Sequence, residues 1–131
     1  MIGRFRIVKQ IGKGGMGNVY LALDTENFRQ VAVKVLPRVF QANRMLIGRF
    51  LREMEVARRL SHPNIVSFLE AGLDKDQYYL AQEYIVGSSL EELITRSGTV
   101  PLNLSLSIMQ DASFALSAVH QQQTIHRDIK P

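Results

Sequence analysis

The chain has 131 residues, 46% of them hydrophobic and 21% charged, with 9 Gly and 4 Pro; that suits one compact unit or a piece of a larger one and excludes collagen-like and low-complexity sequence. It contains no cysteine, which rules out a disulfide scaffold, a thiolate zinc site and a cysteine nucleophile, and no apolar run is long enough for a membrane span or a secretory leader. The net charge of +4 conceals an asymmetry: residues 1–60 hold 12 Lys/Arg against 4 Asp/Glu, and residues 61–131 hold 4 against 8. A basic half suits a phosphate-bearing partner, but a solvated helix face has the same composition.

Taken in chain order, residues 4–11 alternate as a strand, with Phe5, Ile7 and Ile11 apolar and basic residues between. Residues 12–17 (Gly-Lys-Gly-Gly-Met-Gly) are a turn by composition. Residues 19–23 resume as a strand, 24–27 turn, and 30–36 form a third strand closed by Pro37. From 44 to 60 the period becomes helical, with Ile47, Phe50, Met54, Ala57 and Leu60 on one face. Strands are then expected at 65–69 and 78–82, joined through Asp74-Lys75-Asp76. Ser89 is placed to cap a short helix over 90–96. A long helix follows over 104–122, with Leu104, Ile108, Ala112, Ala115, Leu116 and Val119 on one stripe.

The glycine pattern Gly12-x-Gly14-x-x-Gly17 is weak by itself. Glycine lets backbone approach a phosphate closely, yet the dinucleotide-binding version must open into a helix. Here Val19-Tyr20-Leu21-Ala22-Leu23 follows, so the turn joins two strands as a flap. No Gly-Lys-Ser/Thr follows either, which excludes the Walker-type loop. Lys34 stands in an otherwise apolar strand, Val31-Ala32-Val33-Lys34-Val35. An ammonium beside a core calls for a partner, unless it snorkels to an edge. At 100° per residue the apolar stripe of the 44–60 helix leaves Glu53 about 55° from its centre and Glu55 about 145° away. Glu53 therefore borders the buried face and Glu55 faces solvent.

These motifs, together with the terminal His126-Arg127-Asp128-Ile129-Lys130-Pro131, resemble the protein kinase signature set in its order. The lysine two residues after Asp128 is the serine/threonine form. Residues 12–17 and Arg49-Phe50-Leu51-Arg52-Glu53 are similar to the bacterial serine/threonine kinases. The resemblance implies an α+β fold: a kinase N-lobe over residues 1–85, with a five-stranded antiparallel sheet and one helix, then the first helices of a helical C-lobe over 86–131. It implies phosphoryl transfer from ATP to Ser/Thr hydroxyls of a protein substrate, with Mg2+.

Position by position, the resemblance implies that Gly12, Lys13, Gly14, Gly15, Met16 and Gly17 cover the ATP phosphates, with Asn18 also among the cofactor-binding residues. Ile11, Val19 and Ala32 would line the adenine slot, and Glu83 and Ile85 would contribute hinge backbone to it. Lys34 would hold the α- and β-phosphates, oriented by Glu53. Gln82 falls at the position that guards the rear of the slot, where a polar residue is less usual. Asp128 would take or orient the substrate hydroxyl's proton, and Lys130 would steady the phosphoryl group.

In the family the signature continues past Pro131 to an Asn and an Asp-Phe-Gly that bind magnesium. The chain is thus expected to be the first half of such a domain, inactive alone, with no metal ligand of its own and with apolar surface exposed on its long helix. The alternative is a non-catalytic fragment that binds nucleotide or docks to a partner. A nucleic-acid binder has only the charge asymmetry behind it and lacks a recognition helix or aromatic run. A cytoplasmic setting is expected, with no membrane segment within these residues.

Overall fold

The structure is a computed structural model that describes residues 1–131 apart from 15–16, 41, 126–128 and 131. Its elements are β1 (Phe5–Gly14), β2 (Gly17–Asp24), β3 (Gln30–Val35), a 3-10 turn at Arg38–Phe40, α1 (Arg44–Arg59), β4 (Phe68–Asp74), β5 (Gln77–Glu83), α2 (Leu90–Ser97) and α3 (Leu102–Gln121). The five strands form one antiparallel sheet in the order β1-β2-β3-β5-β4. With α1 beside it and two helices after it, this is the α+β arrangement expected from the sequence.

The chain divides into two compact units, residues 1–59 with 66–84, and residues 60–65 with 85–131. In the first, β3 shows why the sheet forms where it does. Val31, Val33 and Val35 alternate into one buried cluster with Phe5, Ala22, Tyr79 and Ala81, while Ala32 and Lys34 take the opposite face. On that opposite face Leu36, Phe50 and Leu80 form a second buried cluster, joined by Ile47, Met54 and Ala57 of α1. These four α1 residues belong to the expected stripe, whose fifth member, Leu60, falls just past the helix end at Arg59; burying the four holds the helix against the sheet. Asn43 caps α1, its Oδ1 accepting from the amides of Met45 (3.0 Å) and Leu46 (3.2 Å).

Most element ends differ from the sequence reading by a residue or more, and two of the differences have clear physical reasons. β4 begins at Phe68, not Ile65: the Ile65 amide donates to the carbonyl of His62 in the turn after α1. The strand then continues through Glu70-Ala71-Gly72, which have little β preference of their own and are held by pairing with Tyr79, Leu80 and Ala81 of β5. Strand pairing also runs into the expected 12–17 turn. Pairing of β1 with β2 continues until Gly14 opposes Gly17. The β4–β5 hairpin turns on Lys75 and Asp76, both in the left-handed region (φ 46° and 62°), as a two-residue connection requires.

A clasp joins the two edge strands of the sheet. The Arg4 guanidinium lies 2.9 Å from Glu26 and 3.2 Å from Glu70 of β4. It also sits 3.2 Å from Asp24, through an Nε that is off line for a hydrogen bond. Tyr79 donates its hydroxyl proton to the other oxygen of Glu70, and the Gly3 amide donates to Asp74 (3.0 Å). A Cβ at Gly3, which has φ 53°, would stand 2.7 Å from the Tyr79 hydroxyl oxygen, so the contact requires glycine. Asp24 is 1% exposed and also organises the β2–β3 turn, accepting from the Glu26 amide and the Asn27 side chain.

Burial, and then the Glu70 carboxylate that accepts its proton, push the Tyr79 hydroxyl up to about 12 from 10.0. A raised folded-state value stabilises the native protein fully below pH 10, and that contribution disappears as the pH rises from 10 to 12. Wild type should therefore lose about 2–3 kcal/mol relative to Tyr79→Phe across this window, read from urea unfolding. Parallel pH profiles for the two proteins would contradict the assignment.

In the second unit Ser89 caps α2 as expected, its Oγ accepting from the Glu92 amide (3.1 Å) while the Glu92 carboxylate accepts from the Ser89 amide (2.9 Å). Of its stripe α3 fully buries Val119, with Ile108, Ala115 and Leu116 half-buried. Leu102, Leu106, Met109 and Phe114 are exposed. No described helix is long and apolar enough to cross a membrane.

Candidate functional site

Register across the sheet assembles the site. Gly12 opposes Val19, Val19 opposes Lys34 and Lys34 opposes Leu80, so one row runs from the glycine turn through the lysine to β5. In the next row Leu21, Ala32 and Gln82 oppose one another. Residues directly opposite in antiparallel pairs share a face. Gly12, Val19, Ala32 and Lys34 therefore lie on the face away from the valine cluster. Since α1 packs on this same face near Leu80, it brings Glu53 to the lysine. Lys34 Nζ donates to both oxygens of Glu53, at 2.6 and 2.7 Å. Their side chains are 20% and 34% exposed, so the pair is partly desolvated yet open on one side. Glu55 points out and pairs instead with Arg59, one turn along.

The glycines differ in why they are needed. A Cβ at Gly17 would stand 2.7 Å from the Val35 carbonyl oxygen, so the sheet itself demands glycine there. A Cβ at Gly12 would meet Val19 at an ordinary 3.5 Å, so no described residue forbids a side chain there. The bare backbone it leaves on the row of Lys34 is what a closely approaching anion requires. Lys13 and Ile11 are exposed on β1, and Asn18 is half-buried on β2. Gly14 ends β1. Gly15 and Met16 lie outside the described residues.

The remaining expected site residues are Glu83, Ile85, Lys130 and Asp128. Glu83 ends β5, opposes Val31, and its amide donates to the Ser67 carbonyl (3.0 Å). Ile85 is exposed in the second unit, as is Lys130. Asp128 lies outside the described residues. Among the described residues no three His, Asp or Glu side chains stand close enough to hold a metal ion. The sequence reading had no signal for the Arg4 clasp, because its partners at 24, 26, 70 and 79 are remote and share no local pattern.

Comparison with known proteins places this geometry. The protein kinase domain family matches residues 5–131. The chain is 44% identical over 129 residues to the serine/threonine-protein kinase PrkC of Bacillus subtilis, covering 98% of this chain and 20% of that protein. A probable serine/threonine-protein kinase PknB of Lactococcus lactis is 38% identical over 129 residues, with 98% and 21% covered. The crystal structure of the Mycobacterium tuberculosis PknI kinase domain superposes with a TM-score of 0.82 at 31% identity, covering all of this chain and 53% of that one. The chain thus spans about a fifth of the curated relatives and about half of a solved kinase domain. A lysine–glutamate pair on the row that leads from a glycine turn, in a chain matched along almost its whole length, identifies this sequence as a member of the protein kinase domain family.

Proposed function

We propose that the protein containing this chain transfers the γ-phosphoryl group of ATP to Ser or Thr hydroxyls of proteins, and that residues 1–85 hold the nucleotide. The observation that carries this reading is the Lys34–Glu53 pair at 2.6 Å on the same sheet face as Gly12. Phosphoryl transfer needs positioning and charge neutralisation more than covalent chemistry from the protein. An ammonium fixed by a carboxylate supplies a positive charge that is already oriented when the phosphates arrive.

Each residue then has a defined task. The backbone of residues 12–17 covers the phosphates. Lys34 neutralises the α- and β-phosphates, and Glu53 orients Lys34. Val19 and Ala32, one row apart, with Ile11, line the adenine slot, and backbone groups of Glu83 and Ile85 hydrogen-bond the base. In the transfer the substrate oxygen forms a bond to the γ-phosphorus, the bond from that phosphorus to the bridging oxygen breaks, and ADP leaves. Asp128 accepts the hydroxyl proton while Lys130 steadies the moving group. Magnesium, when bound, would supply further charge neutralisation; among the described residues no three His, Asp or Glu side chains are gathered to hold it. A nucleotide site fed by cellular ATP places this part of the protein on the cytoplasmic side.

The test is transfer of label from γ-labelled ATP by the full-length protein to a generic basic protein, followed by phosphoamino-acid analysis. Phosphoserine or phosphothreonine is expected. ATP hydrolysis without a labelled hydroxyl amino acid, or no ATP binding at all, would refute the reading.

A further inference from the structure

We propose that the clasp around Arg4 is a positioning device for the glycine turn, fixing the register in which β1 delivers residues 12–14 to the row of Lys34. The inference rests on the nucleotide-binding reading above. β1 sets ten residues against eight in β2. Two register shifts, between Ile7 and Lys9 and between Gln10 and Gly12, take up the difference. Losing one such bulge would slip an end of the strand by one residue against β2 and turn the side chains beyond it to the other face. β1 has only β2 as a ladder neighbour, and beyond Ile7 its described residues are exposed except for half-buried Gly12. Neither pairing nor burial along the strand therefore selects one placement of the turn.

The start of the strand does. Phe5 is fully buried and meets the Tyr79 ring edge-on at 6.1 Å between centroids. Beside it the Arg4 guanidinium reaches carboxylates on the β2–β3 turn and on β4, the opposite edge strand. The Thr25 hydroxyl donates to the Arg4 carbonyl at 2.7 Å. Together these contacts hold Phe5 opposite Asp24, and from that fixed end the count of residues to the Gly14–Gly17 pair follows. Arg4 is thus a positioning residue acting through β1; it stands at the end of the strand away from the glycine turn.

In the full-length protein, Arg4→Gln should raise KM for ATP about five- to tenfold with kcat within twofold of wild type. Amide exchange across residues 7–12 should accelerate, and Arg4→Lys, which keeps the charge, should fall between the two. Val119→Ala, buried in α3 and outside the nucleotide site, is the control for simple destabilisation; it should lower Tm at least as much while leaving KM within twofold. An unchanged KM in Arg4→Gln, or an equal rise in Val119→Ala, would overturn the proposal. Direct ATP binding by wild type separates the two levels: wild type that binds ATP alongside an unaffected Arg4→Gln defeats this inference alone, whereas wild type that binds no ATP defeats the nucleotide reading and this inference with it.

Discussion

Replacing Lys34 with methionine is expected to cost the full-length protein at least about 10²–10³ in kcat, the scale of losing one oriented electrostatic donor from a transfer site. The fold should hardly notice. Methionine fills the volume of the lysine stem, and Glu53, already 34% exposed, stays in contact with water. The stability change is therefore on the order of 1 kcal/mol or less. Glu53→Gln keeps a hydrogen-bond acceptor but removes the negative charge that orients Lys34, so a smaller loss is expected. Combining the two substitutions should add little to Lys34→Met alone, because the residues act as a unit. Asp128→Asn should be as damaging as Lys34→Met by a separate route, since an amide cannot take the hydroxyl proton. Steady-state kinetics with Tm on the same preparations checks this. Lys34→Met retaining more than a tenth of wild-type kcat would contradict the assigned role.

Phe50→Ala should have the opposite signature, a loss of the fold that carries activity with it. Phe50 is fully buried with Leu36 and Leu80, where α1 meets the sheet. Removing a ring from such a site costs about 3–5 kcal/mol through lost transfer energy and the cavity left behind. Small domains have only about 5–15 kcal/mol in total, and each kcal/mol shifts Tm by roughly 2–4 °C for a domain about twice the length of this chain. A fall of about 6 °C or more is expected. The exposed Glu55→Ala, which breaks only the surface pair with Arg59, should change stability by less than about 0.5 kcal/mol. Because α1 delivers Glu53, Phe50→Ala should also weaken ATP binding below the melting transition. A Tm within 3 °C of wild type would show that α1 is held by something other than this cluster.

Much of the site could be read before the structure because its signals are local or periodic. The 3.6-residue repeat of Ile47, Phe50, Met54 and Ala57 fixed which side of α1 is buried. That repeat left Glu53 rather than Glu55 at the border, and Glu53 is the residue that meets Lys34. Alternation did the same for β3, separating Val31, Val33 and Val35 from Ala32 and Lys34. What stayed hidden depends on partners remote in sequence. β4 was misplaced because Glu70-Ala71-Gly72 form a strand through their pairing with β5, not by preference. The two bulges of β1 leave no mark in its composition, and the Arg4 clasp joins strands separated by more than sixty positions. α3 has an apolar repeat along its length, but in this chain only Val119 of that repeat is fully buried.

The most direct test of the account is chemical labelling of the nucleotide site. An acyl-phosphate derivative of ATP, which transfers its acyl group to an amine held beside the phosphates, should modify Lys34 in the full-length protein, located by mass spectrometry. Excess ATP should suppress that modification by at least tenfold. Modification of Lys9, Lys13 or Lys75 in preference to Lys34, or labelling of Lys34 that ATP leaves unchanged, would contradict the account.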